Sequence, residues 1–430
     1  MSETPSHRKK ALGLLELIAI GVGGMIGGGI FSMLGLAVSI SGHGAPLAFL
    51  IGSLVAFFAG YSYIRLALTY RNDGASYIYM LRAFPDNPEI STITGWTVTI
   101  GYVGTLALYA FTFGAYGADL IGASGDAPIR MALSVAVLLF FMVINLSGAR
   151  ITGHTEDMVV YAKILILAVF AVAGLKSASA HNLLPVFDKG GASVFMAGAL
   201  IFVAFEGFQL ITNTISETRQ PEKNIPRGIY GAIAITSAIY ILLAIVAIGN
   251  LSEARLIRAE EYALAEAARP VLGEAGVIMV GIAALLATSS AINATVFGSA
   301  RMMAEMAAKK HMPAYLAARN ADNVPWLATL TLIVLGGVFT MLGGLEVIAS
   351  FSSMTFLLVS IGVSVANWKL RRETGSKPWV IAAGIGLMST TIVLLIIHLA
   401  TDKPLTLAAV AAIYLAAGIP AWIYGRKEWK

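Results

Sequence analysis

The stretch GVGGMIGGGIFSM, residues Gly21 to Met33, decides how this chain is read, and nearly half of it is glycine inside the first long apolar run. Glycine costs about 1 kcal/mol relative to alanine at a helix-interior position. An actual break in lipid costs more, because backbone N–H and C=O groups left unpaired there are expensive. Such a segment persists only where the freed groups face a cavity, a ligand or other protein. The pair Gly23-Gly24 followed by the triplet Gly27-Gly28-Gly29 therefore reads as an interruption. Its N–H groups at Gly27, Gly28 and Gly29 open a second half-helix through Ile30 and Phe31. A helix N-terminus of this kind attracts a carboxylate. Close packing of small residues between helices is the alternative. A single glycine pair would favour packing; two runs in such short compass favour the break.

The surrounding composition explains why the segment must be judged in lipid. The chain has 430 residues, 57% hydrophobic and only 12% charged, where a soluble domain carries about 25% charge. Mean hydropathy is +0.79. It contains no cysteine, which excludes disulfides, thiolate catalysis and cysteine-ligated metals. The net charge of +5 is scattered between apolar runs, so it is no nucleic-acid signal. A spanning helix needs about 20 mostly apolar residues. Runs of that kind lie near 12–38, 45–70, 92–120, 128–147, 155–175, 192–216, 225–250, 273–306, 324–343, 345–366, 378–399 and 404–425. The expected fold is thus an all-α polytopic membrane protein with twelve transmembrane helices and no separate soluble domain. Residues 1–11 read as a cytoplasmic tail rather than a signal peptide, and 426–430 as a cytoplasmic C-terminus. Arg130, Lys176, Lys189, Arg255, Arg258, Arg269 and Lys403 fall on one side of the bundle and Lys163 within a helix. The remaining Lys and Arg, Arg150 among them, fall on the other side, which places both termini in the cytoplasm. Leu251 to Pro270 forms the longest external loop, with the spacing of a surface helix.

A second weak point lies in the sixth run, FVAFEGFQLITNTISE, where Glu206-Gly207 sits at mid-membrane between Phe205 and Phe208. An intramembrane carboxylate is functional by default. Runs one and six are five helices apart, the spacing of an inverted repeat in which each half carries one interrupted helix. Residues 12–175 would form the first five-helix half, 192–366 the second, and 378–425 two appended helices.

Three motifs then resemble the amino acid–polyamine–organocation superfamily of permeases: GMIGGGIF in run one, FEGFQLITNTISE in run six, and ETRQPEKNIPRGI directly after it. In the last, Glu217, Pro221, Ile225, Pro226 and Arg227 match the superfamily's cytoplasmic signature. The match spans nearly the whole chain and is nearest to prokaryotic proton-coupled amino acid permeases with a LeuT-like fold. The resemblance implies a secondary transporter in a prokaryotic inner membrane, importing amino acids in symport with protons by alternating access. A proton-independent amino acid or polyamine exchanger is the competing reading. Amino acid, protons and the bilayer are the implied partners, with a monomeric working unit by analogy of fold and no nucleic acid.

Lys163 lies deep in the fifth run, VVYAKILILAVF, where a charge costs about 2.5–3.5 kcal/mol on insertion scales. Snorkelling to the surface, a static pair with Glu206, and a titrating ammonium on backbone carbonyls are the competing readings. The resemblance implies the third. In sodium-coupled relatives a cation lies between helix 1 carbonyls and helix 8 hydroxyls, to which Thr288, Ser289 and Ser290 correspond. In proton-coupled relatives a helix 5 lysine fills that place; Lys163 matches it, with Gly23 as its expected carbonyl partner. Sodium dependence is correspondingly disfavoured.

The expected pose sets the substrate carboxylate on the N–H groups of Ile26, Gly27, Gly28 and Gly29. Its ammonium meets carbonyls around Val203, Ala204 and Phe205, next to the hinge at Gly207. Phe205 reads either as an aromatic lid or as bundle packing. Glu206 departs from the apolar residue found at this place in many family members. It reads as a brace of the unwound segment, a second proton carrier, or, less favoured, a contact for a cationic group. Tyr102, Tyr109 and Asn293 are weaker pathway candidates, since such residues more often pack between helices. No pair of the six histidines has zinc-site spacing. There is no phosphate-binding loop, which removes an ATP-driven pump, and no protease or esterase motif. No cofactor, metal or catalytic residue is expected.

Overall fold

The computed structural model describes residues 12–72, 75–147 and 153–427. The expected tail at 1–11, Arg150 and the last three residues lie outside the described residues. The described chain is helical, with no β-strand among its elements. In order these are α1 (Leu14–Met25), α2 (Gly29–Ser41), α3 (Ala45–Tyr70), α4 (Ala75–Ala83), α5 (Pro88–Leu120), α6 (Ala127–Leu146), α7 (Gly153–Ser177) and α8 (Gly191–Leu200). There follow α9 (Pro221–Asn250), α10 (Glu253–Ala259), α11 (Ala263–Ala308), α12 (Trp326–Leu342), α13 (Leu345–Lys369), α14 (Arg371–Thr374), α15 (Pro378–Asp402) and α16 (Pro404–Lys427). Among the described residues nine stretches are long and apolar enough to cross a membrane, and Leu14–Met25, Trp326–Leu342 and Pro404–Pro420 are shorter apolar helices. The chain is therefore a polytopic membrane protein.

Proline sets several of the helix starts. It occupies the first turn of α3, α5, α6, α9 and α15, where its missing N–H has no helical partner to lose and its fixed φ suits the helix. In α6 the start is reinforced by Asp126, whose carboxylate accepts the Ile129 N–H at 3.0 Å. Inside α11, Gly273 (φ 64°, ψ −156°) separates a short first helix from the long helix after it. The loop is helical and the long run follows Gly273 as the sequence leads one to expect, but the short helix is not a surface element, since Ala263, Leu264, Ala265, Ala267 and Ala268 are buried.

Burial sorts the helices. Nearly all of α2 is buried, whereas α6, α7 and α15 expose apolar rows such as Leu139, Phe140 and Val143, Leu165, Val169 and Val172, and Val393, Ile396 and Ile397. Exposed apolar bands of this extent mark surfaces meant for something other than water, here lipid. The broken elements occupy the centre. At one end of the bundle, the chain just before α1 lies beside the chain just after 217: Leu12 N–H donates to Glu217 O at 3.2 Å and Arg219 N–H to Leu12 O at 2.8 Å. At the opposite end, the backbone of Glu260 sits directly on Gly35 of α2, so close that a Cβ there would lie 2.3 Å from the Glu260 carbonyl oxygen.

Candidate functional site

The first break falls where the glycines place it. α1 ends at Met25, Ile26 leaves helical geometry (φ −83°, ψ 54°), and α2 restarts at Gly29. As at any helix end, the last carbonyls of α1 and the first N–H groups of α2 lack partners on their own helix. Three of those carbonyls are met by side chains from other helices. Lys163 of α7, fully buried, donates from Nζ to Gly23 O at 3.1 Å and Ile26 O at 2.7 Å. Tyr240 of α9 donates to Met25 O at 2.7 Å. The ammonium thus sits at the negative end of the α1 dipole. It does not snorkel, and no ion pair joins it to Glu206 among the described residues.

The second break is looser than expected. α8 stops at Leu200, and the chain continues as 3-10 helix over Ile201–Phe205 and again over Phe208–Glu217. Between them Glu206 is extended and Gly207 takes φ 133°, ψ −25°, a conformation open to glycine. Ser353 of α13 secures the outer side, accepting Val203 N–H at 3.0 Å and donating to Leu200 O. Tyr240 reaches this break as well, its hydroxyl 3.1 Å from Ala204 O.

The two breaks touch backbone to backbone. A Cβ on Gly207 would lie 2.6 Å from the Gly24 carbonyl carbon and 2.7 Å from Met25 N. Glu206 lies at this crossing, 6% exposed. Gln209 Nε2 donates to its Oε1, and Gln209 Oε1 accepts Gly207 N–H at 3.0 Å. The hydrogen-bond partner of Glu206 is therefore on its own segment.

A cavity of about 460 Å³ opens from this crossing toward the end of the bundle that carries Arg301 and Glu305. Gly23, Glu206, Ser290, Tyr102 and Tyr109 line it, together with Gly24, Gln209, Asn213, Thr295 and Ser299, which sequence reasoning missed. The Ser299 hydroxyl is buried without a hydrogen-bond partner among the described residues.

Other expected site residues lie elsewhere. Gly27 and Gly28 are covered by the Tyr109 ring, which a Cβ at Gly28 would meet at 2.7 Å, and Ile26 and Gly29 are buried behind it. Val203, Ala204 and Phe205 form no part of the cavity wall. Phe205 is no lid: its ring packs edge-on against Tyr240 at 5.4 Å and lies over Gly52 of α3, because the 3-10 turn swings it to the outer face of the break. Thr288 donates its hydroxyl proton to Ala284 O of its own helix at 2.7 Å, which leaves the oxygen lone pairs free to face a cation. Ser289 is half-buried beside it. Asn293 packs between helices, accepting from Asn145 Nδ2 at 3.0 Å. Far from the cavity, His43, Asp188 and Glu253 place one ligand atom each within 4.8 Å of the others. No spacing in the sequence joins these three segments, and Lys189 already pairs with Glu253 at 2.6 Å.

Residues 12–423 match the family model described as amino acid permease. The chain is 32% identical to an uncharacterized protein of Methanocaldococcus jannaschii, over 86% of this chain and 85% of the other. It is 28% identical to the inner membrane transport protein YbaT of Escherichia coli, over 91% of each. It is 24% identical to the branched-chain amino acid permease BcaP of Bacillus subtilis, over 86% of this chain and 83% of that one.

Proposed function

Because the chain belongs to the amino acid permease family, and so is a permease rather than an enzyme, we propose that it imports amino acids across the inner membrane in symport with protons, by alternating access. The observation that carries this reading is the fully buried ammonium of Lys163, seated on the Gly23 and Ile26 carbonyls beside the cavity. An ammonium offers three donors and no acceptor, so it answers the same carbonyl oxygens that a metal cation would. Unlike a metal it can lose its charge, by giving up a proton. Proton loss weakens the hold on both carbonyls and frees the end of α1; proton gain restores it.

In this reading α1 and α2 together form the first of twelve spans. α8 with the 3-10 segments to Glu217 forms the sixth, and Trp326–Leu342 and α16 supply two of the others. Residues 12–175 and 192–366 are the inverted halves, α15 and α16 are appended, and both termini are cytoplasmic. The cavity then faces inward, since it opens toward Arg301 and Glu305. The outward path is shut by Tyr109 over Gly27 and Gly28, by Tyr116 donating to Phe31 O at 2.9 Å, and by Glu260 on Gly35. Alternating access requires Tyr109 to leave the glycines in the outward form, which uncovers the N–H groups at the start of α2 for a carboxylate. The unit works as a monomer.

The test uses purified protein in liposomes. Counterflow against a panel of labelled amino acids names the substrate, and an inward proton gradient in sodium-free buffer is expected to drive its accumulation. Exchange that proceeds at full rate but never accumulates substrate under any gradient would favour the exchanger.

A further inference from the structure

We propose that Glu206 is the anchor for the protonated amino group of the substrate, so that the central cavity selects for molecules bearing a cationic amine. This rests on the transporter reading, and departs from the sequence-based pose, in which freed carbonyls hold the ammonium.

The residues that carry those carbonyls do not line the cavity. Val203 O accepts Glu206 N–H at 3.1 Å, and Val203, Ala204 and Phe205 are not among the residues of the cavity wall. The carboxylate of Glu206, by contrast, is on the wall, almost fully buried, and forms no ion pair among the described residues. A buried carboxylate without a counter-ion is costly. Among the described residues its one hydrogen bond is to Gln209 Nε2, and Gln209 is pinned in turn by Gly207 N–H. This bracket fixes Oε1 and leaves Oε2 as the remaining acceptor.

Among the described residues no cation is paired with it. Lys163 gives its ammonium to Gly23 O and Ile26 O. The basic residue on the cavity wall is Arg301, at the mouth, with its guanidinium over the Phe297 ring. Tyr102 and Tyr109 line the same wall, and aromatic faces add further attraction for an ammonium. A fixed carboxylate acceptor, aromatic walls and an otherwise uncharged depth describe a pocket for one ammonium group.

The experiment measures binding, so it does not depend on coupling or on transport. Purified full-length protein in detergent is titrated with labelled amino acids. The tightest ligand is then competed with its α-hydroxy acid, which has the same shape and no amine. The wild type is expected to prefer the amino acid by about 100-fold or more, since a charge-assisted bond in a buried site is at stake. Glu206→Gln is expected to weaken the amino acid about 10- to 100-fold and to leave the hydroxy acid nearly unchanged, collapsing the preference. Glu206→Asp keeps the preference at weaker affinity. The proposal is overturned if Glu206→Gln binds the amino acid as wild type does, if it loses both ligands equally, as a mere brace would, or if only the pH profile moves, as a proton carrier would. Should the Gln variant not elute as a folded monomer, the Asp variant and the wild-type competition decide: equal competition by the hydroxy acid overturns the anchor. Absence of uptake in liposomes with the preference intact would refute the transport reading and leave the anchor standing.

Discussion

Tyr240 shows how much of this site hangs on single polar atoms. Its ring is wedged between Phe49 at 5.5 Å and Phe205 at 5.4 Å, and its hydroxyl stands between two carbonyls released by two different breaks. One O–H carries one hydrogen, so the shorter bond, to Met25 O, is the one it donates along. Tyr240→Phe removes that donor and leaves a buried acceptor unpaired, a loss of about 1–3 kcal/mol. The expected result is a lower unfolding midpoint in detergent with an unchanged elution profile; an unchanged midpoint would mean the carbonyls find other donors. Nothing in the sequence marks this residue, because its partners are main-chain atoms far away in the chain. Ser353, which holds Val203 N–H and Leu200 O, was illegible for the same reason. Gln209 was within reach, three residues after Glu206 on the same segment, but single-residue spacing does not say which way an amide turns.

At the level of elements, the glycine runs were readable because unwinding in lipid is so heavily penalised. What composition did not convey is that the two broken elements press their backbones together. Gly207→Ala must place a Cβ within 2.6 Å of Gly24 at a φ of 133°, a conformation costing of order 1–3 kcal/mol for a non-glycine residue before the overlap is counted. The expected outcome is a protein that fails to reach the membrane folded, or folds without transport. Gly386→Ala in α15, where a Cβ meets nothing within 4 Å, should be neutral or stabilising by about 0.5–1 kcal/mol. If both substitutions behave alike in expression and thermal stability, the close crossing is not what constrains Gly207. The 3-10 winding over 201–217 was also not legible, since apolar periodicity cannot separate it from α-helix across a break. That winding is why Phe205 points away from the cavity.

For the whole molecule, the order of apolar runs and the position of the two breaks were visible in the sequence; the state of the cycle was not, because one sequence serves every state. Closure at one end comes from contacts between remote segments, such as Glu260 on Gly35 and Tyr116 on Phe31 O, while toward the other end Thr295 and Ser299 line the cavity. The chain has no native cysteine, so introduced ones report cleanly. Thr295→Cys and Ser299→Cys are expected to react with a membrane-impermeant maleimide applied from the Arg301 side, and to be shielded from the opposite side. Labelling from the opposite side alone would contradict the inward-facing assignment.

The central claim is that Lys163 couples proton movement to the end of α1. Its most direct test is proton-gradient-driven accumulation by Lys163→Gln in liposomes, with counterflow exchange measured in the same preparation. An amide keeps hydrogen-bond donors for Gly23 O and Ile26 O but has no titrating proton. The account predicts that counterflow survives while accumulation under the gradient disappears. Accumulation at the wild-type level in that variant would contradict it.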